Sequence, residues 1–551
     1  MKLKKLIYSI PLAVILVAAA TGCRKSQFNI NKNVNDPTDS TVTYDVVLPA
    51  ALHTSGAIMA SPGSWGPIQN WMGFWARSGT YAPNVIEETY QITTNFGNAV
   101  WNNCYDNNYD YNIVQLKANV AGATFYEGIA RIMKAHNFQI LVDVYGNVPY
   151  SQALKGSGNP TPAYDNGLAI YQALFREIDA GIALIKNAVV TADNTNKDIW
   201  KNDILFGDPV NGVVGSVPAM KVKWAKFGNS LKLRMLIHAY AVGAINKATE
   251  IGIINTEGSG YLEEDALVQP GYKSDKPMPF HANYKTDAAG GTPANQVYYA
   301  ANKWGIDYYK GDGDPRVTNL AFAAATPRLY DAGANGLVGV PYGAPPIGAN
   351  VRANVAGIGV GLYKTSSSPQ MFFSAAEAYF LRSEARQRGF ITTGPTAQQL
   401  MESGILSSFT YLGVPSPAAA LSAYLAYNAT YADVDFTAGP LAAGYPSGGI
   451  ATIISQKWFA LNGINTLEVW TDYRRVPFSS VSTLPGASTT NFTYGTAGGY
   501  AAGPVLSVSP QLPPGSKIPV RYLYPQSEYN YNPANVPQGI LPTSRVFWDI
   551  N

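Results

Sequence analysis

Thr124-Phe-Tyr-Glu-Gly-Ile-Ala-Arg-Ile-Met-Lys-Ala-His-Asn-Phe-Gln-Ile-Leu-Val-Asp-Val-Tyr145, closed by Gly146-Asn-Val-Pro149, decides the fold class. Phe125, Ile129, Ile132, Met133, His136, Ile140 and Val144 recur at spacings of three and four, which places them on one face of a helix. Gly146 and Pro149 stop that helix, so its span is expected to be 124–145. The same periodicity runs through Leu168, Tyr171, Leu174, Phe175, Ile178, Ile182 and Ile185 and predicts a second helix over Gly167–Lys186. Trp224, Phe227, Leu231, Met235 and His238 predict a third over Val222–Ala244. Phe372–Arg388 and Ile453–Tyr473 give two more, with Gly463 splitting the last into two helices.

Between these helices, residues 262–300, 321–370, 411–450 and 479–516 are dense in Gly, Pro, Ala, Ser and Tyr. Loops of such length are usually functional or disordered. Few segments alternate with period two, so the class is mainly α, built from helical hairpins with long irregular loops. No strict internal repeat fixes a particular repeat family.

Outward toward the amino terminus, Met1-Lys-Leu-Lys-Lys5 is basic, Leu6 to Ala20 is apolar, and Ala20-Thr21-Gly22-Cys23 follows. The apolar run is too short to span a bilayer but fits a secretory leader. A cysteine directly after small residues is the pattern of a bacterial lipoprotein signal, which assigns lipidation to Cys23. Several acyl chains there would make a durable membrane anchor. Residues 24 to about 45, rich in Asn, Ser, Thr and Asp, read as a tether. The organisation is thus leader 1–22, lipidated tether 23–45 and body 46–551.

Loss of Lys2, Lys4 and Lys5 with the leader takes the 39 basic residues to 36, against 36 acidic ones. A formally neutral body has no electrostatic footprint for nucleic acid. Cys104 is the only other cysteine, so no intrachain disulfide can form once Cys23 is lipidated. Tyr (36) outnumbers Phe (20), and tyrosine suits wet, partly apolar recognition surfaces.

Four separated motifs carry a resemblance. They are Leu141-Val-Asp-Val-Tyr-Gly-Asn-Val-Pro-Tyr-Ser151, Glu377-Ala-Tyr-Phe-Leu-Arg-Ser-Glu-Ala-Arg-Gln-Arg-Gly389, Gln456-Lys-Trp-Phe-Ala-Leu461 with Leu467-Glu-Val-Trp-Thr-Asp-Tyr-Arg-Arg475, and Ile518-Pro-Val-Arg-Tyr-Leu-Tyr-Pro-Gln-Ser-Glu528. Their order resembles that of the SusD/RagB family of outer-membrane nutrient-binding lipoproteins, and their form is similar to its SusD-like type 2 subgroup. The resemblance implies a mainly α fold in which tetratricopeptide-like helix pairs scaffold a loop-rich face. It implies capture of a nutrient, an oligosaccharide, at the outer membrane and delivery to a SusC-like TonB-dependent transporter. Arg24 and Lys25 depart from the acidic residues that often follow the lipidated cysteine in surface-exported members; the cell surface remains the expected location.

For a glycan ligand the physics calls for aromatic platforms, and Trp65, Trp75 and Tyr81 are the expected binding residues, with Gln69, Asn70, Arg77 and Asn84 nearby. Tyr272, Tyr284, Tyr298 and Tyr299 form a second set, while Trp71, Trp101, Trp458 and Trp470 are assigned to the core. Catalytic, metal and cofactor residues are all read as none. His53, His136, His238 and His281 are far apart, and there is no H-E-x-x-H, C-x-x-C or phosphate loop. Asp312-Gly-Asp314 reads as a tight turn. Glu377 and Glu384 with Arg382 and Arg386, and Glu468 and Asp472 with Arg474 and Arg475, read as ion pairs that hold helix to helix. A surface glycoside hydrolase with carboxylates assembled in space is the alternative, and peptide cargo with the same binding role is a third reading.

Overall fold

A computed structural model describes residues 42–209, 211–317, 328–431, 433–437, 449–476 and 506–550. The leader, Cys23 and the tether as far as residue 41 lie outside the described residues, as do 321–327, 438–448 and 479–505 of the expected loops.

The longer helices are α1 (Tyr44–Met59), α2 (Pro62–Trp71), α3 (Asn98–Ala121), α4 (Thr124–Tyr145), α5 (Gly167–Asn187), α6 (Val217–His238) and α7 (Lys247–Glu257), followed by α8 (Lys303–Gly311), α9 (Ala375–Gln387), α10 (Ala397–Leu412), α11 (Pro417–Tyr427), α12 (Ile450–Leu461) and α13 (Thr466–Arg475). Helix α3 packs on α4, α4 on α5 and α5 on α6, and α9 then packs on α6, α10 and α12. Strands are few and short: β1 (Trp75–Arg77), β2 (Val148–Pro149), β3 (Tyr164–Asp165), β4 (Ala266–Val268), β5 (Tyr299–Ala301), β6 (Tyr330–Asp331), β7 (Gly357–Ile358) and β8 (Gln370–Phe373). Among the described residues they pair as antiparallel couples, β1 with β5, β2 with β3, β4 with β8 and β6 with β7. The mainly α class with stacked helix pairs is therefore the observed one.

Helix α4 occupies the span expected from its periodic face, and Gly146 at φ 82° releases the chain after it. Its amino terminus lacks a local cap; Asn196, far along the chain, accepts from the Phe125 N–H at 2.9 Å instead. In α5 the Asn166 side chain caps the N–H groups of Leu168 and Ala169. The third expected helix is shifted: α6 begins at Val217, with Pro218 in its first turn, and ends at His238 rather than Ala244. Phe372 belongs to strand β8, and α9 starts only after Ser374, whose hydroxyl accepts from the Glu377 N–H. Gly463, at φ 69°, lies in the break between α12 and α13, as the sequence predicts.

Two glycines set the crossing of α4 and α5. A Cβ on Gly128 of α4 would stand 2.6 Å from the Gly181 carbonyl oxygen, and one on Gly181 of α5 would stand 2.7 Å from Ile132 Cγ1. The backbones touch there, so Gly181→Val is expected to force the helices apart and cost about 1–3 kcal/mol, read from the urea midpoint. An unchanged midpoint would contradict this packing.

The motif carboxylates Glu377, Glu384, Glu468 and Asp472 are buried and paired, whereas Arg386 donates to the Ile391 carbonyl and Arg474 to the carbonyls of Asp143 and Val520. Glu377 contacts Arg234 at 2.5 Å, Glu384 contacts Arg475 at 2.6 Å, and Asp472 contacts both Arg475 at 2.6 Å and Lys457 at 3.3 Å. They link α6, α9, α12 and α13. Arg382 differs, reaching outward to the half-exposed Glu263 at 3.4 Å.

Candidate functional site

The chain leaves β1 at Arg77 and turns through Ser78–Asn84 over the end of the β1–β5 ladder. In that ladder Arg77 is opposite Tyr299. The turn is pinned from several directions. The Ser78 N–H donates to the Tyr298 carbonyl at 2.7 Å, the Gly79 N–H to the Asn350 carbonyl at 2.7 Å, and the Arg352 N–H to the Thr80 hydroxyl at 3.0 Å. Loop 344–354 lies so close that a Cβ on Gly79 would stand 2.9 Å from the Ile347 carbonyl oxygen.

Arg77 is the hub beneath this turn. Its buried guanidinium donates to Glu88 Oε1 at 2.6 Å, to the Tyr81 carbonyl at 2.7 Å and to the Ala344 carbonyl at 2.7 Å. A planar fork with five donors suits such a three-way clamp. Tyr81 is thereby fixed by its backbone while its ring remains half-buried, with its centroid 5.3 Å from that of half-buried Tyr298 at 59°. The Asn84 side chain stands near the Tyr298 hydroxyl and donates to Glu87 Oε2 at 3.1 Å. Burial pushes the Glu87 carboxyl up to about 7, although Asn70 donates to it. Val85 (40% exposed), Ile86 (46%) and Ile347 (53%) stand on the turn and the facing loop. The result is a fixed pair of tyrosine rings with amide groups beside them and apolar side chains exposed nearby. Such a surface can take the apolar face of a ring-shaped ligand and hydrogen-bond its edges.

Trp65 and Trp75 do not belong to that surface, and this corrects the expectation that they act as platforms. Trp65 is 6% exposed, and its indole N–H is spent on the Ile58 carbonyl at 2.7 Å. Trp75 is 1% exposed between Tyr284 and Tyr299, at centroid distances of 5.3 and 5.2 Å. Both indoles are core packing, where a ring is worth more than as a platform. Of the second set, Tyr272, Tyr284 and Tyr299 are buried as well, and only Tyr298 joins Tyr81. Arg352, Asn350 and Ile347 escaped the sequence reading because the loop that carries them has no periodicity and meets the turn across some two hundred and seventy positions.

No carboxylate pair faces across an open cleft among the residues singled out for acid–base work. Glu468 and Asp472 are buried and engaged by His238, Lys457 and Arg475. Asp314 is clasped by Arg316, which supports the turn reading of Asp312-Gly-Asp314. Among the described residues no group of His, Cys, Asp and Glu side chains is arranged to hold a metal ion.

Among the described residues the scaffold is one of stacked helix pairs with two-stranded sheets and no closed barrel or sandwich. The family model described as "Starch-binding associating with outer membrane" matches residues 63–494, and the chain belongs to this SusD-like family. Among solved structures, a SusD homologue from Bacteroides fragilis is similar at 20% identity and a TM-score of 0.65, with 92% of this chain and 99% of that one covered. A chitin-binding SusD homologue from Flavobacterium johnsoniae is similar at 20% identity and a TM-score of 0.64, with coverage of 92% and 99%. A further structure, named a chitin-binding protein, has 21% identity and a TM-score of 0.63 over 92% of this chain and 100% of the other. No curated protein sequence matches the chain.

Proposed function

We propose that this protein is a non-enzymatic, lipid-anchored receptor of the outer membrane that binds oligosaccharide and passes it to a SusC-like TonB-dependent transporter. The observation that carries the reading is the Tyr81–Tyr298 ring pair, held by Arg77 and edged by Asn84 on a rigid turn. Family membership and the chitin-binding proteins of like fold support a glycan as cargo. The lipoprotein leader supports anchoring at Cys23, and among the described residues no helix is long and apolar enough to cross a membrane. Preformed geometry keeps the ordering cost of binding low, so modest contacts suffice.

Calorimetric titration with chito- and malto-oligosaccharides, and with peptides alongside, tests the reading. Saturable oligosaccharide binding is expected, weakened about five- to tenfold by Tyr81→Ala, since an aromatic contact is worth about 0.5–1.5 kcal/mol beyond its area. Peptide binding at this face with no response to sugars would contradict it, as would release of reducing ends from the oligosaccharides.

A further inference from the structure

A cavity of about 250 Å³ opens where α3, α4 and α5 meet the turn that follows β2, and it shares no residue with the Tyr81 face. Phe138 and Leu174 form its buried floor. On its wall, Lys134 Nζ donates to Asn112 Oδ1 at 2.8 Å and to Gln115 Oε1 at 3.0 Å. Those acceptors are neutral amides. The nearby cation Arg131 is neutralised by Glu127 at 2.9 Å and Glu177 at 2.8 Å, whereas no carboxylate lies within ion-pair distance of Lys134 among the described residues. An ammonium has three N–H donors, so one remains for a guest.

The other polar groups of the wall point to what that guest carries. The Tyr150 hydroxyl and the Gln115 amide N–H₂ have no protein partner among the described residues, and only one Glu177 oxygen is used by Arg131. Tyr150 stands edge-to-face on Phe138 at 4.8 Å, which gives the cavity one apolar side. Of the two cations on the wall, Lys134 is the one without a carboxylate at ion-pair distance among the described residues, so it is the group that can meet one negative charge, while Glu177 disfavours a second. We propose that this cavity is a second binding site, for a monosaccharide-sized uronic acid whose carboxylate meets Lys134 and whose hydroxyls meet Tyr150, Gln115 and Glu177. Charge-assisted hydrogen bonds to a carboxylate are the strong ones, and the two amide oxygens hold the ammonium in place on the wall. The site does not depend on the Tyr81 reading.

Burial draws Lys134 down to about 8, with Glu177 opposing and Arg131 adding to the shift. Of the ionisable groups around the cavity, Tyr150 is pushed up to about 12, so Lys134 is the one whose charge falls away just above neutrality. Carboxylate binding should therefore decline as pH rises past about 8.

The test is titration of the full chain with D-galacturonate and D-glucuronate, with D-galactose as the neutral probe and inorganic phosphate as the more highly charged one. The uronates are expected to bind saturably, about tenfold more weakly to Lys134→Gln and several-fold more weakly to Tyr150→Phe, with urea midpoints unchanged in both variants. Tyr81→Ala should leave uronate binding intact. Equal binding of galactose, tighter binding of phosphate, indifference to Lys134→Gln, loss in Tyr81→Ala or absence of saturable uronate binding would each overturn the proposal.

Discussion

Glu468→Gln is expected to lower the stability of the folded chain by about 3–5 kcal/mol, among the largest losses a single substitution should produce here. Glu468 is fully buried on α13. It meets His238 Nε2 of α6 at 2.9 Å, Lys457 of α12 at 3.1 Å and Arg234 of α6 at 3.5 Å. Removing its charge leaves three buried cationic groups short of an anion, which costs far more than any surface ion pair returns. The pH dependence supplies an independent check. Burial alone would push the Glu468 carboxyl up, but His238, Lys457 and Arg234 hold it well below the usual carboxylate range. A carboxyl depressed in this way stabilises the fold above about pH 4.5 and loses that contribution as pH falls through its folded value. His238 has the opposite sign. Burial would lower it, yet Glu468 and Asp143 raise it above 6.5, so its contribution is complete below that pH and is lost as pH climbs through the raised value. Wild-type stability should therefore fall on both the acid and the alkaline side, and both limbs should flatten in Glu468→Gln. Urea midpoints measured from about pH 3 to about pH 9 would read this directly. A variant as stable as the wild type, or one with unaltered limbs, would contradict the account of this cluster.

Trp458→Ala should cost about 3–5 kcal/mol by emptying a large site in the core. The indole of Trp458 is fully buried on α12, stacks on Phe74 at 4.6 Å and meets Trp304 at 5.3 Å and Tyr309 at 5.4 Å. Its N–H donates to the Met72 carbonyl at 2.9 Å, an acceptor that would be stranded on truncation. Met72 and Phe74 lead directly into β1, so this ring supports the ladder on which the Tyr81 turn rests. The comparison with Tyr81→Ala is the informative one. Trp458→Ala should lower the urea midpoint strongly, whereas Tyr81→Ala should leave the midpoint nearly unchanged and lower oligosaccharide affinity. A reversal of that pattern would place the recognition surface elsewhere.

What was legible in the sequence follows from which residues fill the core positions. Helix α4 was readable to the residue because Phe125, Ile129, Ile132, Met133, Ile140 and Val144 keep an unbroken apolar rhythm along it, even though Glu127, His136, Asn137, Gln139 and Asp143 are buried beside them. Helix α3 was not. Its inward face runs Val100, Trp101, Cys104, Asn107, Asn108, Tyr111, Val114 and Ala118, with two asparagines where the pattern needs apolar side chains. Asn107 pays for burial by donating to the Ala51 carbonyl at 2.9 Å and accepting from Ser55 at 2.7 Å and Asn137 at 2.9 Å, partners that no local pattern reveals. The same limit applied to the site. Composition marks Trp65, Trp75 and Tyr81 alike as rings beside polar residues, but only packing separates two core indoles from a surface phenol. That the motif carboxylates are ion-paired was legible, but most of their partners were not: Glu377 meets Arg234 and Glu468 meets His238, both from a helix read only for its apolar face, while Arg386 and Arg474 turn to backbone carbonyls.

The central claim is that the Tyr81 face grips intact oligosaccharide and does not cut it. A crystal structure of the protein soaked with a chito- or malto-oligosaccharide tests this most directly. The account predicts an uncleaved sugar ring lying against Tyr81 and Tyr298, within hydrogen-bond reach of Asn84. An oligosaccharide bound away from both tyrosines, or one found hydrolysed between two carboxylates, would contradict it.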